Sequence, residues 1–332
     1  MSWLHDALQR LPEPDRDAAA ALRARADDIL RPSGALARLD DVAVHMAAWQ
    51  RTTTPRVARP AALVFAGDHG VAEHGDVSAY PTAVTAAMLA ACRQGKATIC
   101  ALANSVAATL ATIDAGVGRP TGDIRYEAAM TAERFDAVVA QAVAAVEALD
   151  TDLLVLGEIG IGNTTAAAAL AGALLGGDAA TWVGRGTGVD DAGLERKRVA
   201  VAAVMDRTSD IRDPIEIMRE AGGAELTALA AATVAARLRS IPVVLDGYVV
   251  TSAVLPLHVA APGALDHCIV GHCSAEPGHR QVLEAIDKPV LLDLGMRLGE
   301  GSGAMIAVPI VRAACDAVVH VATFTEWFGQ GE

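Results

Sequence analysis

Glu300 is a carboxylate whose surroundings suit proton transfer. It lies in the glycine-rich segment 293–303, between Gly299 and Gly301 and at the start of a predicted helix. Glycine neighbours let a ligand approach closely, and partial burial would raise the pKa of the carboxyl toward that of a general base. An acidic residue that complements the dipole of the helix is an equally good interpretation of this position from the residues alone.

Two other glycine-rich segments could bind an anion. Segment 157–165 follows an apolar run and opens an alanine-rich helix, and segment 184–191 leads into a helix that carries Lys197. Backbone N–H groups at such turns favour negative charge, and Asn163 and Thr164 could cap the helix or contact a phosphate. The competing interpretations are a tight turn with a helix cap and a solvated lysine. Neither segment matches a dinucleotide-binding or P-loop fingerprint.

Two clusters superficially suggest a metal. Asp68 and His69 follow an apolar run, and segment 266–273 contains Cys268 and Cys273 together with two histidines. The cysteine spacings are not those of a zinc finger, and a second cysteine pair is lacking. A packed turn is as good an interpretation of the Asp-His pair as a metal or acid–base site. We therefore expect no metal.

These segments need a scaffold, and the alternation of apolar runs with helical stretches predicts a parallel α/β sheet. In such sheets, ligands bind beyond the carboxyl ends of the strands. Residues 3–50 predict two or three amphipathic helices, and residues 52–60 predict a linker. The predicted strands are 61–66, 110–114, 153–156, 180–183, 241–245 and 290–292, and the predicted helices are 83–103, 131–149, 164–175, 191–205 and 225–239.

Composition excludes several classes of function. The chain has 332 residues, of which 52% are hydrophobic and 3% aromatic, and its net charge is −13. Such an acidic chain lacks the basic surface that a nucleic-acid binder needs. Its longest apolar stretches are interrupted within a membrane-spanning length, and its first residues do not read as a signal peptide. Five irregularly spaced cysteines predict a reducing, cytoplasmic location.

Seven longer strings resemble one enzyme family, the nicotinate-nucleotide–dimethylbenzimidazole phosphoribosyltransferases. They occur in order within residues 31–324, so the resemblance covers nearly the whole chain. The strings are FAGDHGV at 65–71, VSAYP at 77–81, GEIGIGNTTAAAAL at 157–170, GRGTGVDDAGLERK at 184–197, IPVVLDGYVVTSA at 241–253, GHCSAEPGH at 271–279 and LGMRLGEGSGA at 294–304.

The resemblance implies an activity and an architecture. The reaction would convert nicotinate mononucleotide and 5,6-dimethylbenzimidazole into α-ribazole 5′-phosphate and nicotinate, for the lower ligand of a cobamide. The partners would be these small molecules and a second copy of the chain, and no cofactor would be needed. Residues 56–304 would form a Rossmann-like parallel sheet flanked by helices. Residues 1–55 and about 305–332 would form a small helical domain.

The resemblance also assigns roles to residues. Glu300 would be the catalytic base and Glu158 a second active-site acid. Ser274 would lie at the nucleotide end, and Ser78 with Tyr80 would border the base pocket. The phosphate would contact Gly160, Asn163, Thr164, Gly184, Gly186 and Lys197. His272 aligns with a histidine of the family, which leaves Cys268 and Cys273 without a chemical role.

This chemistry suits carboxylates without a metal. Nicotinate leaves with a neutral ring, so no acid is needed to expel it, and Glu158 or Glu300 can stabilise the positive charge on the ribose. Phosphoribosyltransferases with a pyrophosphate donor bind Mg²⁺, usually beside paired acids after a strand. Here the run 243–245 is followed by a single Asp246 and then by Gly247. We therefore predict metal-independent turnover.

The sequence departs from the family pattern near the acceptor base. Ala87 stands where a glutamine is common, and segment 119–130 lacks an expected asparagine-containing string. We expect a relaxed choice of acceptor, which includes benzimidazoles and purines.

Three other functions compete with this interpretation. A non-catalytic nucleotide-binding protein would not need both Glu158 and Glu300. A dehydrogenase needs a fingerprint that segment 67–70 does not supply. A metallohydrolase would use Asp68, His69 and the cysteine–histidine cluster.

Overall fold

Six parallel strands form the sheet that carries the candidate site. In this computed structural model, which describes residues 3–329, the strand order is β2-β1-β3-β4-β5-β6, and every pairing is parallel. The strands are β1 (Pro60–Gly67), β2 (Thr109–Gly116), β3 (Leu153–Ile159), β4 (Val243–Leu245), β5 (Cys268–His272) and β6 (Val290–Leu292). The predicted α/β class, a parallel sheet flanked by helices, is confirmed.

The helices cover both faces of the sheet. They are α1 (Trp3–Leu8), α2 (Arg16–Asp28), α3 (Arg38–Gln50), α4 (Gly70–Gly75), α5 (Ala83–Arg93), α6 (Thr98–Ser105), α7 (Ala132–Glu147), α8 (Asn163–Leu175), α9 (Ala179–Trp182), α10 (Asp191–Arg207), α11 (Pro214–Ala221), α12 (Ala224–Leu238), α13 (Tyr248–Ala260), α14 (His279–Ala285), α15 (Ser302–Val319) and α16 (Phe324–Phe328).

The central strands are buried on both faces, as their uninterrupted apolar runs require. Along β1, Leu63 and Phe65 pack in the core that contains α7, α8, α12 and α13. Val64 and Ala66 point to the other face and pack with α6 and α15. The chain direction across the sheet reverses between β1 and β3, and such a switch point opens a crevice at the carboxyl ends of the strands. The turns after β1 and β3 flank this switch point.

The chain ends meet beside the sheet. The helices α2 and α3 share a cluster with Val318 near the end of α15, and Ile29 bridges to Thr323. The helix α1 packs elsewhere, on α7 and α12. The helix α15 runs without interruption from 302 to 319, across the predicted boundary at about 305. The division into two domains stays a prediction.

One described helix, α15, is long and apolar enough to cross a membrane by length and composition alone. It packs over β3, β4 and β5, and 56% of its apolar window is buried inside the protein. Burial against a sheet is the usual reason for such a composition in a core helix.

Two local predictions are wrong, and one strand was not predicted. Residues 180–183 do not form a strand, because Asp178 caps α9 by accepting the Ala180 N–H at 2.9 Å. Residues 83–103 do not form one helix but lie in two, separated at Gly95, whose φ is +71°. Residues 268–272 form the buried strand β5, for which the sequence analysis made no prediction.

Gly157 lets the backbone of Glu300 cross directly over β3. A Cβ at Gly157 would lie 2.4 Å from both the carbonyl carbon and the carbonyl oxygen of Glu300. We expect Gly157→Ala to lower the free energy of unfolding by about 2–3 kcal/mol, because neither backbone can yield without strain. Gly329→Ala is the control, since its Cβ would meet only Thr325 at 3.9 Å. Equal denaturation midpoints for the two variants would contradict the close approach.

Candidate active site

A crevice of about 790 Å³ lies at the carboxyl ends of β3, β4 and β5. Its wall includes Glu158 from the end of β3, Asp246 from the turn after β4, and Ser274 from the turn after β5. Glu300, from the loop that precedes α15, completes the wall. The fold thus brings the two predicted carboxyl groups to one pocket, although 142 positions separate them in the sequence (300 − 158).

Glu300 is held in a backbone conformation that L-residues rarely adopt, with φ at +68°. Its backbone N–H donates to the carbonyl oxygen of Glu158 at 3.0 Å. Its Oε2 accepts the N–H of Ile99, in the first turn of α6, at 3.2 Å. Burial raises the pKa of Glu300, the Ile99 hydrogen bond opposes this shift, and the charge of Asp246 adds to it.

Glu158 lies deeper than Glu300 and is surrounded by other acids. Burial, together with the charges of Glu225, Asp246 and Glu300, raises its pKa well above the ordinary value. A hydrogen bond from the Nδ2 of Asn163 to its Oε2 partly offsets the shift. Burial is therefore the main cause that raises the pKa of both Glu158 and Glu300.

Lys197, predicted to contact a phosphate, is buried beside the pocket, and 1% of it is exposed. Its Nζ donates to Thr164 Oγ1 at 2.9 Å and to the carbonyl oxygen of Gly184 at 2.7 Å. Burial lowers the pKa of Lys197 to about 8, and the charge of Glu276 opposes this shift. The alternative of a solvated lysine is therefore wrong. The N–H of Gly186 donates to Glu276 Oε1 at 3.0 Å, so these groups lie close together.

Asn163 does not cap α8, as one interpretation of the sequence predicted. The N-cap is Gly162, whose φ is +93°, and no side chain caps the helix. A Cβ at Gly162 would lie 2.6 Å from the Cβ of Ala72, so a larger capping residue does not fit. The amide of Asn163 is therefore available to Glu158.

Seven of the residues to which the resemblance assigns a catalytic or binding role line this pocket, and four do not. The wall contains Glu158, Gly160, Asn163, Thr164, Gly186, Ser274 and Glu300. Lys197 and Gly184 lie directly behind Thr164. Ser78 is half-buried, and its Oγ accepts the N–H of Tyr80, which is 53% exposed. Met88 reaches the wall, whereas its neighbour Ala87 is exposed.

The suspected metal ligands have other partners. Asp68 Oδ2 accepts the N–H of Gly118 at 2.7 Å, and His69 Nε2 pairs with Glu225 Oε1 at 2.6 Å. Cys268 and Cys273 are buried thiols, and burial raises the pKa of Cys268 to about 12. Among residues 3–329, no group of three or more His, Cys, Asp or Glu side chains is placed to hold a metal ion.

The sequence reasoning missed several pocket residues. Asp246 drew attention only as an unpaired acid, yet it lines the wall and accepts the Ala304 N–H at 2.8 Å. Its position directly after a strand was the available signal. Glu276 and Arg297 also line the wall, and both fall inside recognised strings. Glu225, which lies behind the wall and is not part of its lining, had no local signal, since its partner His69 lies 156 positions away.

Comparisons with known proteins agree with this geometry. A family model described as phosphoribosyltransferase matches residues 11–327. The nicotinate-nucleotide--dimethylbenzimidazole phosphoribosyltransferase of Novosphingobium aromaticivorans is 47% identical over 321 residues, 96% of this chain and 94% of that protein. The protein of the same name from Mesorhizobium japonicum is 48% identical over 324 residues, 97% of this chain and 96% of that protein.

A solved structure extends the similarity to three dimensions. The crystal structure of CobT from Thermus thermophilus matches with a TM-score of 0.89 and 40% identity, over 93% of this chain and 98% of that one. Both the family model and the relatives span nearly the whole chain. The chain therefore belongs to the nicotinate-nucleotide–dimethylbenzimidazole phosphoribosyltransferase family.

Proposed function

We propose that this chain transfers the phosphoribosyl group of nicotinate mononucleotide to 5,6-dimethylbenzimidazole or a related base. The products are α-ribazole 5′-phosphate and nicotinate, and the ribotide enters the lower ligand of a cobamide. The observation that carries the proposal is the meeting of two carboxyl groups, Glu158 and Glu300, in one crevice with the glycine turns beside Lys197.

The glycine turns and Lys197 suit the phosphate of the donor. Gly160, Thr164 and Gly186 line the crevice, and the ammonium of Lys197 lies behind Thr164. Backbone N–H groups at glycine turns and a nearby ammonium favour a dianion. The Gly186 N–H donates to Glu276 in this structure, so we propose that the phosphate replaces that carboxylate. Binding of this remote group holds the sugar in place while the bond at C1′ breaks, and it supplies the energy for that placement.

The bond changes follow from the substrates. The C1′–N bond to nicotinate breaks, and the ring keeps the electron pair and becomes neutral. Positive charge then develops on the ribose until one nitrogen of the benzimidazole attacks C1′ from the opposite face. Attack from that face changes the configuration at C1′ from β to α, so the two bases must lie on opposite sides of the sugar. The other nitrogen of the benzimidazole must then lose its proton.

We assign different roles to the carboxyl groups of Glu158 and Glu300, because their surroundings differ. We assign the acceptance of the benzimidazole proton to Glu300, because burial raises its pKa and so makes its ionised form a stronger base than an ordinary carboxylate. Glu158 stays protonated and can donate a hydrogen bond within the pocket. Since the base must be ionised, activity should fall as the pH drops through the raised pKa of Glu300.

We further propose a cytoplasmic homodimer that acts without a metal and binds neither nucleic acid nor membrane. The dimer is supported by family membership and by exposed apolar side chains, among them Leu294, Leu298 and Trp327. Light scattering that returned the mass of one chain would contradict the dimer.

Glu300→Gln removes the proton acceptor while it preserves the shape of the side chain. We expect kcat to fall by about 100-fold or more, with a smaller change in the KM for nicotinate mononucleotide, because a general base contributes on that scale.

The assay identifies products by mass spectrometry, with the donor, free bases and excess EDTA. Glu195→Gln, on an exposed glutamate paired with Arg198, should behave as wild type. Normal turnover by Glu300→Gln would refute the base assignment, and loss of all activity in EDTA would refute metal independence.

Lys197 should impose an alkaline limit on donor binding. Its folded-state pKa is lowered to about 8, so the charged form that attracts phosphate is lost as the pH rises through that value. We expect kcat/KM for nicotinate mononucleotide to decline above about pH 8, and Lys197→Met to raise KM by about 10-fold or more through the lost charge-assisted contact. Lys96→Met, at an exposed position on the chain, is the matched control. An unaltered KM in Lys197→Met would count against this role.

The acceptor pocket should tolerate several bases. Ala87 is exposed and offers no polar side-chain group toward the acceptor, whereas its neighbour Met88 contributes an apolar wall. Apolar contacts discriminate weakly between similar rings, by about 1–3 kcal/mol per group. We therefore expect benzimidazole and substituted benzimidazoles to compete within about 100-fold of one another when supplied as a mixture. A strict preference for 5,6-dimethylbenzimidazole would disprove the relaxed choice.

A further inference from the structure

Glu225 is a fully buried carboxylate behind the crevice that the proposed reaction does not use. It lies in the first turn of α12, and both it and His69 have no exposed side-chain surface. Its Oε1 pairs with His69 Nε2 at 2.6 Å. The other atoms of the pair, Glu225 Oε2 and His69 Nδ1, are buried without a hydrogen-bond partner. Such groups are costly in a protein interior, so their presence calls for an explanation.

Three glycines make room for this pair. A Cβ at Gly67 would lie 2.7 Å from Glu225 Oε2, and a Cβ at Gly160 would lie 2.8 Å from Glu225 Oε1. A Cβ at Gly223 would lie 2.4 Å from His69 Cε1. These glycines belong to the turn after β1, the turn after β3 and the start of α12. The pair therefore packs against the backbone of three separate segments at once.

Further contacts connect Glu225 with Asn163 and, through Asn163, with Glu158. A Cβ at Gly160 would also lie 3.2 Å from Asn163 Nδ2, so the side chains of Glu225 and Asn163 both pack against the same face of Gly160. The same Nδ2 donates to Glu158 Oε2. Any movement of Glu225 away from Gly160 would free the turn that holds Asn163 and Glu158 in place.

We propose that Glu225, held by His69, is a positioning residue for the transfer reaction: its carboxylate sets the spacing between the turns after β1 and β3, and thereby orients Asn163 and Glu158 toward the crevice. Glu225 does not line the crevice and touches no substrate. The inference rests on the proposed function for its kinetic consequences, and its electrostatic consequence can be measured without turnover.

The electrostatic consequence concerns the proton on Glu158. The groups that face Glu158 are Glu225 from α12, Asp246 after β4, Glu300 before α15, and Asn163 at the start of α8. Glu225 is the first of the charged neighbours that raise the pKa of Glu158. Removal of its charge favours the ionised form of Glu158, so the titration midpoint of Glu158 should move to lower pH.

Two variants separate charge from placement. Glu225→Gln keeps the shape of the side chain and removes its charge. We expect the midpoint of Glu158 to fall by about one pH unit in this variant. Glu225→Asp keeps the negative charge but shortens the side chain by one methylene, so the carboxylate no longer reaches Gly67 and Gly160. We expect its kcat to fall about tenfold, with the KM for nicotinate mononucleotide little changed, because placement is lost and donor binding is not.

The titration is followed by NMR in protein labelled with ¹³C at the glutamate carboxyl carbons. The signal of Glu158 is identified by its absence in Glu158→Gln. Asp40→Asn is the matched control, since Asp40 is also buried and paired with an arginine, Arg31, but lies in the helices at the chain ends. It should lower thermal stability and leave both kcat and the Glu158 midpoint unchanged.

Each of the two Glu225 variants tests one part of the proposal. A Glu158 midpoint in Glu225→Gln equal to that of wild type would overturn the electrostatic part. A wild-type kcat in Glu225→Asp would overturn the positioning part, and this variant decides the matter should Glu225→Gln fail to fold. If the wild-type protein forms no ribotide, the proposed function fails, and the titration still tests whether Glu225 acts on Glu158.

Discussion

Four carboxyl groups converge at the carboxyl ends of the central strands with little water around them, and the rest of the site accommodates their mutual repulsion. At most 6% of each is exposed. Like charges in such surroundings cannot all ionise together. Each group has its own compensating contact, from a backbone N–H, an amide or an imidazole. The four are Glu158, Glu225, Asp246 and Glu300.

The backbone of Gly157 packs closely against the backbone of Glu300, and this packing brings the carboxyl groups of Glu158 and Glu300 to one place. The chain crosses itself at Gly157 and Glu300, and the loop absorbs a positive φ at Glu300. Strain of this kind persists only where surrounding structure determines it, and it is commonly found at functional sites. Here the rigid centre of the sheet, buried on both faces, provides that support. The end of β3 also delivers the glycine turn at Gly160, whereas the glycine turn at Gly184 follows α9.

Much of the scaffold was predictable from local patterns. Runs such as 153–156 are too short for helices and too apolar for exposed strands, so burial in a parallel sheet was their natural interpretation. The prediction failed where short-range hydrogen bonds decided the conformation, as at Asp178 before α9. It also failed at β5, where Cys268 and His272 resemble metal ligands but serve as buried strand residues.

The site itself was predictable only in part, because its decisive contacts are long-range. Recognised strings led to Glu158, Glu300 and Lys197. However, the burial of Lys197 depends on Thr164, which lies 33 positions away, and no local pattern could reveal it. The role inferred for Glu225 likewise depends on a partner 156 positions distant. Contacts between residues that are far apart in the sequence are seen only in the folded structure. The chemical properties of each side chain, in contrast, are known from the sequence.

We propose that one crevice holds a ribotide between a phosphate-binding turn and the carboxyl groups of Glu158 and Glu300. A crystal structure of the protein soaked with nicotinate mononucleotide tests it most directly. The account predicts the phosphate within hydrogen-bonding distance of Lys197 Nζ and the Gly186 N–H, and C1′ between the carboxyl groups of Glu158 and Glu300. A ribotide bound elsewhere, with its C1′ remote from both glutamates, would contradict it.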